Sequence, residues 1–96
     1  QIAINPWTGT LVTDDIESET TMVMENLKAV LDEAGSSLEN IVKTTIYLVN
    51  MADFAKVNDV YGKYFVSVPP ARSTVQVVKL PKGANLEIEC IATAKN

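Results

Sequence analysis

The sequence predicts a two-layer α+β domain in which two helices cover one face of a mixed β-sheet. Two segments carry apolar residues at helical spacing, and the segments around them are rich in β-branched residues or alternate between apolar and polar residues. Their order along the chain is β-β-α-β-α-β-β, which is typical of a sheet with helices on one side. A chain of 96 residues suffices for one core, so residues 1–96 are expected to form a single domain.

Residues 1–12 are typical of a strand, a turn and a second strand. Ile2 and Ile4 alternate with other residues, Asn5-Pro6 begins a turn, and Gly9 provides a positive φ. A short hairpin is therefore expected at the start of this chain.

The first helix is predicted over residues 16–34. Asp14 or Asp15 provides its cap, the acidic residues Glu17 and Glu19 suit the positive end of its dipole, and Gly35 stops it. Its apolar stripe consists of Ile16, Val23, Leu27, Val30, Leu31 and Ala34.

The segment 40–50 predicts a central strand, because both of its faces carry apolar character. The spacing of aromatic residues predicts a second helix over 51–65, and Pro69-Pro70 prevents its continuation. Two more strands are predicted over 72–79 and 85–94, joined by a turn with proline and glycine.

One face of this sheet is left without helices, and in so small a chain such a face is a natural oligomer interface. In the last two strands the apolar residues are expected to meet the helices. Alternation then assigns five polar side chains to the uncovered face. They are Arg72, Thr74, Gln76, Glu87 and Glu89.

Composition excludes several classes of site. The chain has no histidine and a single cysteine, which excludes a Ser-His-Asp triad, a Cys-His pair and a histidine-rich zinc site. Its net charge is −4 and its lysines are scattered, which argues against nucleic acids and anionic membranes as partners. No phosphate-binding glycine motif occurs, so neither a metal nor a cofactor is expected.

Arg72, the only arginine, is the residue most open to a functional interpretation. A guanidinium binds a small carboxylate with two parallel hydrogen bonds, and a nearby glutamate can orient or activate water. The structural alternative is an interchain Arg–Glu salt bridge that fixes the oligomer, which is the commoner use of such a pair.

Three other residues are singled out by their positions. Asn58 lies on the apolar side of the second helix, where a structural amide that holds the Arg72 loop is the simpler explanation. Cys90 falls on the helix-facing side of the last strand and is expected to be a buried small hydrophobe. Trp7 lies in a turn, where it is either a partner contact or a single exposed aromatic residue.

The motifs of the chain resemble one known family along almost its whole length. The stretches "QIAINP", "ENLKAVLDEAGSSLENIVKTTIYL", "DFAKVNDVYGKYF", "PPARSTVQV" and "LPKGANLEIECIA" together resemble the Rid/YjgF family, the reactive intermediate deaminases. The resemblance implies a chorismate-mutase-like α+β fold assembled as a homotrimer, with clefts between adjacent subunits. It also implies an additional N-terminal strand region upstream of Gln1, which this sequence does not contain.

The resemblance further implies an activity: hydrolysis of 2-aminoacrylate and related enamines or imines to 2-keto acids and ammonia, without metal or cofactor. Arg72 matches the family arginine that binds the substrate carboxylate, and Glu87 matches the residue that orients the attacking water. Thr74 matches a cleft position occupied by Cys, Thr or Ala, and Asn58 matches an asparagine near the cleft.

Two other functions are left open by the resemblance. Some relatives are described as RNA-cleaving or translation-inhibiting proteins, and others as ligand-binding or chaperone-like proteins without catalysis. A cytoplasmic location is expected, because one cysteine allows no internal disulfide and no apolar run approaches the length of a membrane span.

Overall fold

A strand in the middle of the chain forms the centre of the sheet in the computed structural model, which describes residues 1–94. This strand, β1 (Ile41–Leu48), pairs in parallel with β2 (Ala71–Gln76) and antiparallel with β3 (Leu86–Ala92). The sheet order is therefore β2-β1-β3. The predicted mixed sheet and the central position of this segment are confirmed.

The first helix begins at the residue that the sequence indicates, whereas the second begins later than predicted, at Phe54. Helix α1 (Ile16–Glu33) is capped by Asp15, whose carboxylate accepts the Ser18 backbone N–H at 2.7 Å. That hydrogen bond lowers the pKa of Asp15 below its usual value. Helix α2 (Phe54–Gly62) is shorter than predicted, because a 3₁₀ turn precedes it and irregular turns follow it.

Both helices pack against the same face of the sheet, as predicted. Apolar side chains from α1 and α2 meet alternate residues of β1 and β3, and each such burial contributes about 1.5–3 kcal/mol. The central members of this core are Val23, Met24, Leu27, Ile46, Leu48, Val57, Leu86 and Ile88.

The N-terminal segment lies along the outer edge of β3. Gln1 and Ile88 exchange backbone hydrogen bonds of 2.8 and 3.0 Å, and the Asn26 side chain donates to the carbonyls of Ile2 and Ile4 at 3.2 and 2.8 Å. The predicted hairpin is reduced to a single bridge between Ile4 and Leu11, because the intervening residues form turns.

The edge strand β2 presents its residues to the faces opposite to those predicted. Its parallel register aligns Arg72 with Thr44 and Thr74 with Ile46, and aligned residues share a face of the sheet. Thr44 and Ile46 are buried beneath the helices, so Arg72 and Thr74 lie on the helix-covered face. The alternation of polar and apolar residues in β2 predicted the wrong faces because an edge strand reaches solvent on both sides. Polar side chains are therefore tolerated even on the side of the core.

Candidate functional site

The start of β2 brings Arg72 to the side of α2. Pro69 and Pro70 end the irregular segment after α2 and lead directly into the strand. Because β2 is an edge strand, the guanidinium can lie over the helix while remaining accessible to solvent.

Three side chains of α2 hold the guanidinium in place. Its Nη1 donates a hydrogen bond to Oδ1 of Asn58. Its central carbon lies 5.6 Å from the ring centroid of Phe54 and 5.2 Å from that of Tyr61, distances at which a cation is attracted to an aromatic face. A neutral amide and two rings therefore orient the charge, and no carboxylate among the described residues neutralises it.

Tyr61 is itself fixed from below. Its hydroxyl forms a buried hydrogen bond of 2.7 Å with the Thr44 hydroxyl on β1. Its ring also lies against Phe65, with 4.8 Å between centroids. Burial raises the pKa of Tyr61, and the Thr44 hydrogen bond and the nearby Arg72 charge partly oppose that rise. The Tyr61 ring beneath the guanidinium is therefore held in place by these contacts and is uncharged at neutral pH.

A cleft of about 470 Å³ opens beside Arg72. Its walls are mainly aromatic rings and proline rings, with the guanidinium and the Asn58 amide as the polar groups. The lining residues are Asn58, Tyr61, Gly62, Phe65, Pro69, Pro70 and Arg72. One cation beside aromatic and proline rings suits a small anion with an uncharged body.

Thr74 lies two residues along β2 from Arg72, on the same face of the sheet. Its hydroxyl is buried and has no hydrogen-bond partner among residues 1–94. Leaving a buried hydroxyl unpaired costs about 1–3 kcal/mol. The hydroxyl is therefore a buried, unpaired polar group, and Thr74 is not one of the residues that line the cleft beside Arg72.

The acidic candidates lie on the opposite face of the sheet. Glu87 is half-buried on β3 and is aligned with Tyr47 of β1, and no hydrogen bond or salt bridge to another of the described residues engages its carboxylate. Glu89 behaves differently, because its carboxylate accepts the Tyr47 hydroxyl at 2.6 Å, a contact that raises the pKa of Tyr47. The expectation that Glu87 and Glu89 face away from the helices is confirmed.

The sheet therefore separates Arg72 from Glu87 within one chain, and the expectation that they share a face is wrong. Arg72 is at the β2 edge on the helix side, whereas Glu87 is on β3 on the uncovered side. That uncovered side also carries exposed apolar side chains, with Val75 41% and Ile91 64% exposed. Any site that uses both residues needs a second copy of the chain.

The other predicted residues are found as follows. Asn58 is half-buried, and its side chain holds Arg72 directly by accepting a hydrogen bond from the guanidinium. Cys90 faces the core, and burial raises the pKa of its thiol. Trp7 is 92% exposed at the tip of its turn.

Sequence reasoning did not connect the aromatic residues of α2 with Arg72. Phe54, Asn58 and Tyr61 follow one another at intervals of four and three residues, which places them on one face of the helix. That spacing was visible, but it indicated only a core-facing stripe.

Residues 1–94 contain no group of three or more His, Cys, Asp or Glu side chains that could hold a metal ion. In the same part of the chain, no helix has both the length and the apolar character that spanning a bilayer requires.

Comparisons with known proteins agree on one family. The model of the family described as Endoribonuclease L-PSP matches residues 1–94. A RutC family protein of Pyrococcus abyssi is 51% identical over 92 residues, covering 96% of this chain and 72% of the relative. Reactive Intermediate Deaminase A of Arabidopsis thaliana, a chloroplastic protein, is 46% identical over 92 residues, covering 96% of this chain and 49% of the relative.

Among solved structures, Escherichia coli TdcF with bound serine superimposes with a TM-score of 0.92 at 39% identity, covering 99% of this chain and 76% of TdcF. The expected two-layer α+β fold is thus confirmed by the helices and the sheet and by the comparison. On the strength of the family model and these relatives, the chain belongs to the Rid/YjgF family.

Proposed function

We propose that this protein hydrolyses 2-aminoacrylate and related enamines or imines to 2-keto acids and ammonia. The observation that carries the proposal is the guanidinium of Arg72, which is oriented by Asn58 and two aromatic rings and has no carboxylate partner among the described residues. A charge held in this way suits a carboxylate ligand. The name of the Arabidopsis relative and the serine bound to TdcF support a small amino-acid-derived substrate.

The proposed site takes Arg72, Asn58 and Thr74 from one subunit and Glu87 from a neighbour in a homotrimer. The positions of Arg72 and Glu87 on opposite faces support this division. The exposed apolar side chains on the Glu87 face support a partner subunit there, because exposed apolar surface favours association. The cleft beside Arg72 is then one wall of an intersubunit site.

The chemistry requires little from the protein. The enamine first takes a proton on its methylene carbon and becomes the 2-imino acid, whose C2 is electrophilic. Arg72 binds the carboxylate and fixes C2, while Glu87 accepts a proton from a water molecule as its oxygen bonds to C2. Return of that proton to nitrogen, transfer of the hydroxyl proton to the same nitrogen and breaking of the C–N bond release the 2-keto acid and ammonia.

A coupled assay tests this function. A serine dehydratase generates 2-aminoacrylate, and pyruvate formation is followed with lactate dehydrogenase and NADH, with and without the full-length protein. We expect faster pyruvate formation that is lost in Arg72→Ala. No acceleration, or equal acceleration by Arg72→Ala, would overturn the proposal. Keto-acid binding without turnover would instead favour the ligand-binding or chaperone-like alternative.

The description of the matched family model names a second candidate, cleavage of RNA. The charge of the chain does not favour it, because the net charge is −4 and the lysines form no cluster. Tight RNA binding at physiological salt, abolished together with cleavage in Arg72→Ala, would establish RNA as the substrate instead.

A further inference from the structure

Gly62 is the last residue of helix α2, and its backbone conformation does not require glycine. The other three glycines, Gly9, Gly35 and Gly83, have φ angles of +73°, +77° and +75°, a region that residues with a side chain rarely adopt. Gly62 instead has the backbone of an α-helix, in which alanine is more stable than glycine. The backbone therefore gives no reason for a glycine at this position.

Close packing does not explain Gly62 either. Apart from its chain neighbours and the backbone of its own helix, no atom of residues 1–94 lies within 4 Å of the place that a Cβ atom would take. A side chain would therefore fit at this position without a clash. What it would change is the empty space beside α2.

That space belongs to the cleft beside Arg72, because Gly62 is one of the residues that line the cleft. Gly62 follows Asn58 by four residues, so the two positions lie on the same side of α2. Side chains on a helix lean toward its N-terminus, so a side chain at position 62 would lean toward Asn58 and the guanidinium bound to it. Any residue larger than glycine would therefore narrow the cleft close to the anion site.

The cleft is larger than the smallest proposed substrate needs. Its volume is about 470 Å³, whereas 2-aminoacrylate carries only a methylene carbon beyond C2. The rings of Phe65, Pro69 and Pro70 line the same cleft and provide apolar surface. A ligand whose carboxylate is bound by Arg72 gains affinity if a longer apolar side chain is buried against these rings.

We propose that Gly62 determines the size of the substrate, because the missing side chain leaves room for 2-imino acids with longer apolar side chains than that of 2-aminoacrylate. The inference rests on the proposed deaminase function, in which Arg72 binds the substrate carboxylate. The imino acid derived from leucine is an example of this substrate class, since its side chain is apolar and branched. Filling the space at position 62 should therefore disfavour large ligands more than small ones.

The first test is titration calorimetry of the full-length protein with two 2-keto acids, which are products of the proposed reaction. Pyruvate is the small ligand and 4-methyl-2-oxopentanoate is the large one. We expect the wild type to bind the large ligand about tenfold more tightly, because more apolar surface is buried. The preference should fall to about threefold in Gly62→Ala and disappear in Gly62→Val, since valine is larger and holds one rotamer in a helix.

Ala55→Val is the matched control, because Ala55 is an exposed residue of the same helix and does not line the cleft. This variant should keep the preference of the wild type. Thermal unfolding of Gly62→Ala should occur at a temperature no lower than that of the wild type, since alanine is the better helix former. A loss of preference in a protein of undiminished stability is not a result of general damage to the fold.

The second test measures the same preference in catalysis. A serine dehydratase generates 2-aminoacrylate, and an L-amino-acid oxidase with catalase generates the imino acid derived from leucine. The ratio of the two rates of keto-acid release, each corrected for the uncatalysed reaction, should change in the Gly62 variants in the same direction as the ratio of affinities.

The outcomes separate this inference from the proposed function. Keto-acid binding that depends on Arg72, with an unchanged preference in Gly62→Ala and Gly62→Val, would overturn the inference alone. The expected change of preference without turnover would overturn the proposed function and support a size limit at Gly62. A wild type that binds neither keto acid would overturn both.

Two further results also decide the question. If Gly62→Ala dissociates an oligomer that the wild type forms, Gly62 makes room for a second copy of the chain, and the inference is overturned. If Gly62→Val does not fold, Gly62→Ala decides by itself, and a preference that stays at the wild-type value in this variant contradicts the role of Gly62.

Discussion

The Arg72 guanidinium donates a hydrogen bond to the side-chain oxygen of Asn58, which ties the start of β2 to the middle of α2. The bond fixes one edge of the guanidinium, while the rings of Phe54 and Tyr61 support its face. The remaining N–H groups are available to a ligand, because a guanidinium has five donors. Arg72 is therefore arranged to bind an anion in a defined orientation.

Replacing Arg72 by lysine should weaken the binding of 2-keto acids about tenfold, because a point charge replaces a planar fork with two parallel hydrogen bonds. Titration calorimetry with 2-oxobutanoate measures this directly. Lys63→Ala, which removes an exposed cation at the end of α2, is the matched control and should bind normally. Unchanged affinity in Arg72→Lys would show that the arginine is only structural.

Variants of Asn58 test whether this residue orients the Arg72 guanidinium. Asn58→Ala should raise KM about threefold, because the guanidinium loses the one side-chain hydrogen-bond acceptor that it has among residues 1–94. Asn58→Asp should raise KM about tenfold or more, since the introduced carboxylate pairs with Arg72 and competes with the substrate. Steady-state kinetics on both variants distinguish the two effects. Equal KM values for Asn58→Asp and the wild type would contradict this account.

Glu87 and Glu89 form a natural pair of matched variants on one strand face. Glu87→Gln should lower kcat about a hundredfold or more with little change in KM, because an amide accepts no proton from water. Glu89→Gln should keep most of its activity, since Glu89 is engaged by Tyr47 at 2.6 Å. The reverse ranking would assign the catalytic role to Glu89.

The separation of Arg72 and Glu87 by the sheet predicts complementation between inactive subunits. Arg72→Ala and Glu87→Gln should each be inactive alone. After unfolding and refolding as an equal mixture, random trimers should contain roughly a quarter of sites with both native residues. Activity in the mixture supports a shared site. A double variant carrying both changes is the negative control, and a mixture as inactive as this control would contradict the shared site.

Alkaline pH should weaken the contact between α1 and the turn that follows α2. The Tyr64 hydroxyl donates to Glu25 at 2.8 Å, and burial followed by that carboxylate raises the pKa of Tyr64 to about 12. At pH values between the unfolded pKa of 10.0 and this raised pKa, the Tyr64 hydroxyl is still protonated in the folded state but is ionised in the unfolded chain. The resulting stabilisation is complete below the unfolded pKa of 10.0 and is lost as the pH rises toward about 12.

Urea unfolding at several pH values in that window measures the effect. The free energy of unfolding should fall by about 1 kcal/mol more in the wild type than in Tyr64→Phe, a figure reduced for solvent screening. Parallel decreases in the two proteins would show that the Tyr64 contact contributes nothing. In Glu25→Gln the free energy of unfolding should fall with pH at an intermediate rate, because burial still raises the pKa of Tyr64 when the carboxylate is absent.

Much of the fold was predictable because its signals are local. The cap at Asp15, the stop at Gly35 and the β-branched residues of β1 each act over a few residues, and the observed bounds follow them closely. The side of β3 that faces the helices was also predictable, since its apolar residues Leu86 and Ile88 belong to a continuous core. For β2 the same reasoning failed, because its polar and apolar residues both tolerate an edge position.

The sequence by itself determined the two helices, the three strands of the sheet, their order, the absence of histidine chemistry and the family resemblance, since all of these depend on residue types and spacing. Tertiary structure alone decided that Arg72 lies over α2, that Glu87 lies across the sheet from it, and that Glu19 is buried against Asn85. Glu19 had been expected only to complement a helix dipole. Strand register and long-range hydrogen bonds join residues far apart in the chain, and no local pattern records those pairings.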